Sequence, residues 1–248
     1  MADKLHKTKG IVLRVVKYGE TSLVVTIYTE LFGLQSYLVN GVRVTTKQGN
    51  NKAVMFQPSA ILDLVVYHSE FKQLQRIKEH RWAHVYSGIL SDVRKNAIAL
   101  FMVELVTRCI KQPESNPELF GFLEDAFMSL DASSAEISAN FPLYFAVHLP
   151  AFFGLRIDDN YSTSNAFLDL QEGSFVQEAP SHQHYIAGRL AAITAQLLRT
   201  QLPSELNQLK LNHEVRRELM QAFEVYYLLH VQDFGNMKTL PVLREILG

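Results

Sequence analysis

Apolar and polar positions alternate with a period of two through the first third of the chain, and after His80 the period changes to about 3.6. Leu23, Val25 and Ile27 alternate with Val24, Thr26 and Tyr28, which predicts a strand with those two sets on opposite faces. Glu30 to Gly33 interrupts the pattern with a short polar turn, and Leu34 to Asn40 resumes it, so the two runs form a hairpin closed by Gly41. Further strands are expected over Gly10 to Lys17, Ala60 to His68 and Phe71 to Lys78. A meander of about five strands in roughly 80 residues suits a small barrel of the oligonucleotide-binding (OB) kind. The stretch between Gly41 and Gln57, with Thr45, Thr46, Gly49, Asn50 and Asn51, reads as an exposed loop of the type that lines a ligand groove.

The later chain reads as helices. Ile98, Phe101, Leu105 and Cys109 share one helical face, and Asn116-Pro117-Glu118 is a helix start with an Asn cap and proline at the first helical position. Phe120, Leu123, Phe127 and Leu130 supply the buried stripe of that helix. Residues 133–154 form a third helical stretch, expected to break or kink at Pro142 and Pro150. Residues 155–180 lose the helical period and predict two short strands turning at Glu172-Gly173. Helix returns over residues 183–199, with Ile186, Leu190, Ile193 and Leu197 on one side. A last helix over residues 212–231 buries Val215, Leu219, Phe223 and Tyr226. The expected class is therefore α+β: an OB-fold β-barrel over residues 1–80, then a helical-bundle domain over 81–248 with a small irregular β insert at 155–180.

Charge refines this division. Residues 1–80 hold eleven Lys and Arg against six Asp and Glu, while the remainder holds thirteen against nineteen, although the whole chain is close to neutral. Attraction to phosphate depends on local charge, so the barrel is the basic module. Arg14, Lys17, Arg43, Lys47, Lys52, Lys72, Arg76 and Lys78 are candidates to track a nucleic-acid backbone. Tyr18, Tyr28, Tyr37 and Phe56 are candidates to stack on bases, against core roles for aromatics in strands. Near Arg94 to Lys111, an apolar strip of Ile98, Phe101 and Leu105 lies between Arg94 and Arg108, a pattern that suits an acidic peptide with a hydrophobic terminus. Ordinary core with snorkelling arginines is the competing reading.

Other chemistry is thinly supported. The single cysteine, Cys109, sits in an apolar helical run and reads as an inert buried thiol. His182-Gln183-His184 with His213 and His230 could approach a metal, but no nearby acid is placed in sequence to complete a site. The chain lacks a GxxxxGK[ST] loop, a GxSxG elbow, an HExxH pair and paired carboxylates in supporting context, so no enzyme and no cofactor are expected. Glu104 and Asp125 read as solvated or ion-paired. No apolar run reaches the roughly 18 residues of a membrane span, and the residues after Met1 form no signal-peptide core, so a cytoplasmic protein is expected.

The runs GIVLRVVKYGE and TIYTELFGLQSYLVNGVR, with Phe56-Gln57-Pro58, resemble the N-terminal barrel of the RecO family of bacterial recombination mediators. Tyr28-Thr29, Gly33, Gly41, Arg43, Gln57 and Pro58 fall where that family's pattern has them. The resemblance implies a barrel, helices, a small insert and closing helices. It also implies binding of single- and double-stranded DNA, annealing of complementary strands, and help to RecA in replacing single-strand-binding protein. The partners implied are RecR and the acidic C-terminal tail of single-strand-binding protein, the latter on the helical domain, where Arg94, Phe101, Leu105 and Arg108 are the candidate contacts. Many members hold zinc in the insert through four cysteines, and residues 155–180 here contain none. Two rival classes stay open: a protein-only adaptor whose barrel binds a polypeptide, and a nuclease or hydrolase.

Overall fold

A computed structural model describes residues 4–43 and 52–246. The first strand, β1 (Lys4–Tyr18), is long enough to serve two neighbours. Its first half pairs antiparallel with β4 (Ile61–His68) and its second half with β2 (Ser22–Thr29). A shift of register between Val12 and Arg14 bends the strand where the two pairings meet, as a bulge does. Gly10 sits at that crossing: a Cβ there would lie 2.9 Å from Leu64 Cδ1 and closer still to Ile27 Cγ2. β2 turns into β3 (Gly33–Val39), β3 runs parallel to β5 (Leu74–Trp82), and β5 pairs with β4, so the order β1-β2-β3-β5-β4 returns on itself as a closed barrel.

The alternation expected for β2 is the one observed. Leu23, Val25 and Ile27 point into a core shared with Tyr37, Val39, Leu62 and Leu64, while Val24, Thr26 and Tyr28 take the outer face. A 3₁₀ turn, Lys52–Phe56, contributes Phe56 to the same core. The first strand begins earlier and the last strand later than the sequence pattern predicts.

The chain divides into two compact units, residues 1–86 with 110–128, and residues 87–109 with 129–248. In the first unit, the segment 110–128 and the first turns of α3 (Pro117–Ala132, continuing into the second unit) pack on the barrel. Pro113 accepts a hydrogen bond from the Leu34 amide at 3.0 Å, Phe120 stacks on Tyr28, and Lys9 pairs with Glu124 at 2.7 Å. The approach is close enough to require glycine at position 33, where φ is +60° and a Cβ would strike the carbonyl oxygens of Pro113 and Glu114. Asn116 caps α3 as its sequence foretells, its side chain accepting from the Leu119 amide at 3.0 Å.

The second unit contains α1 (Gly88–Ser91), α2 (Val93–Cys109), α4 (Ala135–His148), α5 (Gly188–Arg199), α6 (His213–His230) and α7 (Thr239–Ile246). A three-stranded sheet of β6 (Phe167–Asp169), β7 (Ser174–Val176) and β8 (Tyr185–Ala187) forms the insert, in the order β7-β6-β8. Two expectations change here. Pro142 does not break α4, because the helix is buried from Asn140 to Val147 and packing outweighs the roughly 3 kcal/mol cost of an internal proline. Residues 185–187 are a third strand rather than the start of a helix, since each of the three pairs with β6, and the helix begins at Gly188.

Candidate nucleic-acid interface

Strand register puts the outer face of β1, β2, β3 and β5 in rows. One row runs Arg14, Thr26, Ser36, Leu74; the next runs Val16, Val24, Leu38, Arg76. The two arginines thus stand on opposite edges of one face, separated by hydroxyl and apolar side chains. Arg14 and Arg76 are exposed, and neither has a carboxylate partner among the described residues. Toward the Tyr28 end, the segment 110–128 covers this face; toward Tyr18 it is open within its own unit.

The other candidate cations separate by position. Lys17 is exposed but pairs in register with Leu23, which puts it on the face opposite to Arg14. Arg43 is half-buried and ties down the β1–β2 turn, its Nη1 donating to Gly19 O at 3.0 Å and its amide to Thr21 O at 3.0 Å. Lys72 is exposed in the β4–β5 loop. Lys78 follows the inward Ile77 at a shift of register in β5 and lies 3.8 Å from the Glu79 carboxylate. Lys47, the Lys52 side chain and residues 44–51 of the predicted loop lie outside the described residues.

Of the aromatic candidates, Tyr37, Phe56 and Tyr28 are buried. Burial pushes the Tyr37 phenol well above its ordinary value, and burial raises that of Tyr28 against the pull of a hydrogen bond to Asn116 O. Tyr18 alone is exposed, at 58%. Sequence reasoning missed Phe71, which is 86% exposed, because it was counted into the last strand. Strand β5 begins only at Leu74, and residues 69–73 form a loop braced by the buried amide of Gln75. Its Nε2 donates to Ser69 O and Lys72 O, each at 2.7 Å, and its Oε1 accepts from the Ser69 amide at 3.2 Å. The lack of alternation in Ser-Glu-Phe-Lys-Gln was the available signal.

The strip expected on α2 is not a surface. Phe101 and Leu105 are each 1% exposed in the core, and only Arg94 of the four stands in solvent. Arg108 is engaged: it bonds Glu104 at 2.8 Å, Phe234 O and Asn236 O, and its guanidinium lies over the Phe234 ring. Glu104 in turn accepts from the Lys238 and Thr239 amides and the Thr239 hydroxyl at the start of α7. Burial pushes its carboxyl up, but these hydrogen bonds and Arg108 outweigh burial and hold it below the usual range.

An apolar groove with a cationic rim does exist elsewhere in this unit. Pro142 and Leu143 of α4, Met220 of α6, and Leu240 and Leu243 of α7 line it, beside Arg216, Arg217 and Arg244. The Nε atoms of Arg216 and Arg244 are buried without a hydrogen-bond partner among the described residues, and burial lowers the Arg216 pKa. Both guanidinium groups are already partly engaged, Arg216 Nη1 donating to Leu211 O at 2.6 Å and Arg244 Nη2 pairing with Glu224 at 3.2 Å.

Histidine sites resolve into local contacts. An acid does stand beside His182, Asp169 at 3.3 Å, but among the described residues no group of three or more His, Cys, Asp and Glu is placed to hold a metal. Zinc of the four-cysteine kind does not fit this chain, whose one cysteine is buried in α2. No helix among the described residues is long and apolar enough to cross a membrane.

Residues 1–86 match the family model described as recombination protein O N terminal, and residues 90–240 match that described as recombination protein O C terminal. The chain is 35% identical to the DNA repair protein RecO of Bacteroides fragilis, across 98% of this chain and 99% of that protein. It is 32% identical to the protein of that name from Christiangramia forsetii, across 98% and 100%, and 26% identical to that of Porphyromonas gingivalis, across 96% and 98%. The matches span both the barrel with its arginine-edged face and the helical unit with its insert, and on that ground the chain belongs to the RecO family.

Proposed function

We propose that this protein is a recombination mediator in DNA repair, binding single- and double-stranded DNA through the barrel and working without covalent chemistry. The observation that carries the reading is the open face on which Arg14 and Arg76 stand without carboxylate partners among the described residues; the relatives named DNA repair protein RecO support the setting. Two DNA strands repel each other as polyanions, and a cationic surface that both can approach lowers the cost of bringing them together. Annealing of complementary strands follows from that, as does assistance to RecA on single strands coated by single-strand-binding protein, with RecR as a further partner. The cytoplasm is where these components act. For the acidic tail of single-strand-binding protein, the groove between α4, α6 and α7 is the better dock than the α2 strip, because three arginines rim it and the Nε atoms of two of them have no hydrogen-bond partner among the described residues.

Filter retention of a labelled single strand and of a duplex at two salt concentrations tests the DNA reading. Retention that falls steeply with salt is expected. No salt-sensitive retention would favour the protein-only adaptor, and cleavage of an end-labelled strand with added divalent metal would favour the nuclease.

A further inference from the structure

Phe71 is the most exposed large apolar side chain among the described residues, at 86%, and its ring meets no other described aromatic ring. A loop with such a residue at its centre would ordinarily fold the ring back onto the barrel to remove it from water. Here the opposite is built. Gln75, itself 3% exposed, spends its side-chain amide on Ser69 and Lys72, and the Lys72 amide closes a turn onto Ser69 O at 3.2 Å. The backbone on either side of Phe71 is therefore tied to a buried group, and the ring stays out at little entropic cost on binding. The loop leads directly into Leu74 and Arg76 of the arginine-edged face. Tyr18, two residues beyond Val16, is exposed at the opposite end of that face, because the rows advance from Leu74 to Arg76 as β1 advances from Arg14 toward Tyr18.

We infer that Phe71 is a base-stacking residue that gives the barrel a preference for single-stranded nucleic acid over duplex. The inference rests on the reading of the face as a DNA interface and deepens it. Phosphate contacts act on any polyanion, whereas a ring can stack only on a base that is not already stacked in a helix. An exposed ring in the loop that precedes Leu74 and Arg76 of that face thus supplies strand type, and the cations affinity, from separate residues.

The test compares the full chain with the variants Phe71→Ala, Phe71→Trp and the double variant Arg14→Ala, Arg76→Ala, binding an oligothymidylate and a duplex of equal length. Phe71→Ala is expected to weaken single-strand binding by about 5- to 150-fold, the range for loss of one stacked base, with the salt slope unchanged and duplex binding altered less than about twofold. Phe71→Trp is expected to restore binding, with a fluorescence change on single-strand addition beyond that of Trp82 in the parent. An equal loss on both DNAs, or no loss on either, overturns the stacking role. If the double arginine variant also binds both DNAs as the parent does, the interface reading itself fails, a result distinct from failure of Phe71 alone.

Discussion

Replacing Arg14 and Arg76 together by alanine should flatten the salt dependence of DNA binding by an amount the face itself fixes. Each phosphate contact on a single strand contributes about 0.7 to the slope of log affinity against log salt. Arg14, Arg43, Lys72 and Arg76 are the candidate cations on or beside the open face; Lys17 is on the other side of β1 and Lys78 is partly compensated by Glu79. Four contacts give a slope of about −2.8, or about a 50-fold loss of affinity between roughly 50 and 200 mM salt. The double variant should retain a slope of about −1.4, or about a 7-fold loss, and bind about 25-fold more weakly near 0.1 M salt.

Any phosphate contact made by other cations would add equally to both slopes, so the difference of about 1.4 is the quantity that tests the face. Both arginines are exposed and without ion-pair partners among the described residues, so the fold should shift by less than about 0.5 kcal/mol, which thermal unfolding checks. Fluorescence anisotropy of a labelled oligonucleotide at four or more salt concentrations supplies the slopes. Parallel lines for parent and variant would mean that the phosphates run elsewhere, however basic the barrel is.

Two further outcomes concern the helical unit. Arg216→Glu with Arg244→Glu should abolish binding of an acidic peptide ending in a hydrophobic residue, read by calorimetry, while Arg94→Ala leaves it within about twofold; the reverse result would return the dock to α2. Glu104→Gln removes the charge that caps α7 and anchors Arg108, and should cost about 2 kcal/mol, seen as a melting temperature lower by about 4–8 °C and faster amide exchange in α7. Because the Glu104 carboxyl titrates below its ordinary value of 4.5, its contribution is present above that pH and lost as pH falls through the lower folded value. The parent and the variant should therefore converge in stability in acid, and a constant difference down to low pH would show that charge is not what Glu104 supplies.

Much of the barrel was readable because alternation is a local property. The β2 pattern separates core from outer face residue by residue, and the Asn116-Pro117-Glu118 start marks a helix wherever it occurs. What local pattern cannot carry is which outward residues are later covered. Tyr28 faces out of the barrel and is still buried, because a segment more than 80 residues further on lies over it. The apolar strip on α2 has the same defect in reverse: periodicity identifies one apolar face, but Ala97, Met102, Val103 and Val106 are buried as well, so most of the helix is core. Phe71 shows a third failure. Its surroundings give no period at all, and the bracing of its loop depends on the amide of Gln75, a residue that reads only as one polar position in a strand.

The family resemblance implies a four-cysteine zinc site in the insert of many members, and residues 155–180 of this chain contain no cysteine to form one. A four-ligand metal site joins two loops by fixing several backbone points at once, so its replacement must also act at several points. Asn160 does so by pairing with both backbone groups of Phe175, its Oδ1 accepting at 2.8 Å and its Nδ2 donating at 2.9 Å. Asp169 accepts from the Gln171 and Glu172 amides and so shapes the turn to Gly173, whose carbonyl accepts from the Asp158 amide at 2.8 Å. From α6, Tyr226 donates to Leu155 O at 2.7 Å, and His230, one turn further on, contacts Leu170 O at 2.8 Å. Ile157, Leu168, Leu170 and Phe175 are buried beneath these bonds. Each hydrogen bond contributes only about 1 kcal/mol, but together they fix residues 155 to 175 to one another and to a helix, which is the constraint the missing thiolates would have imposed.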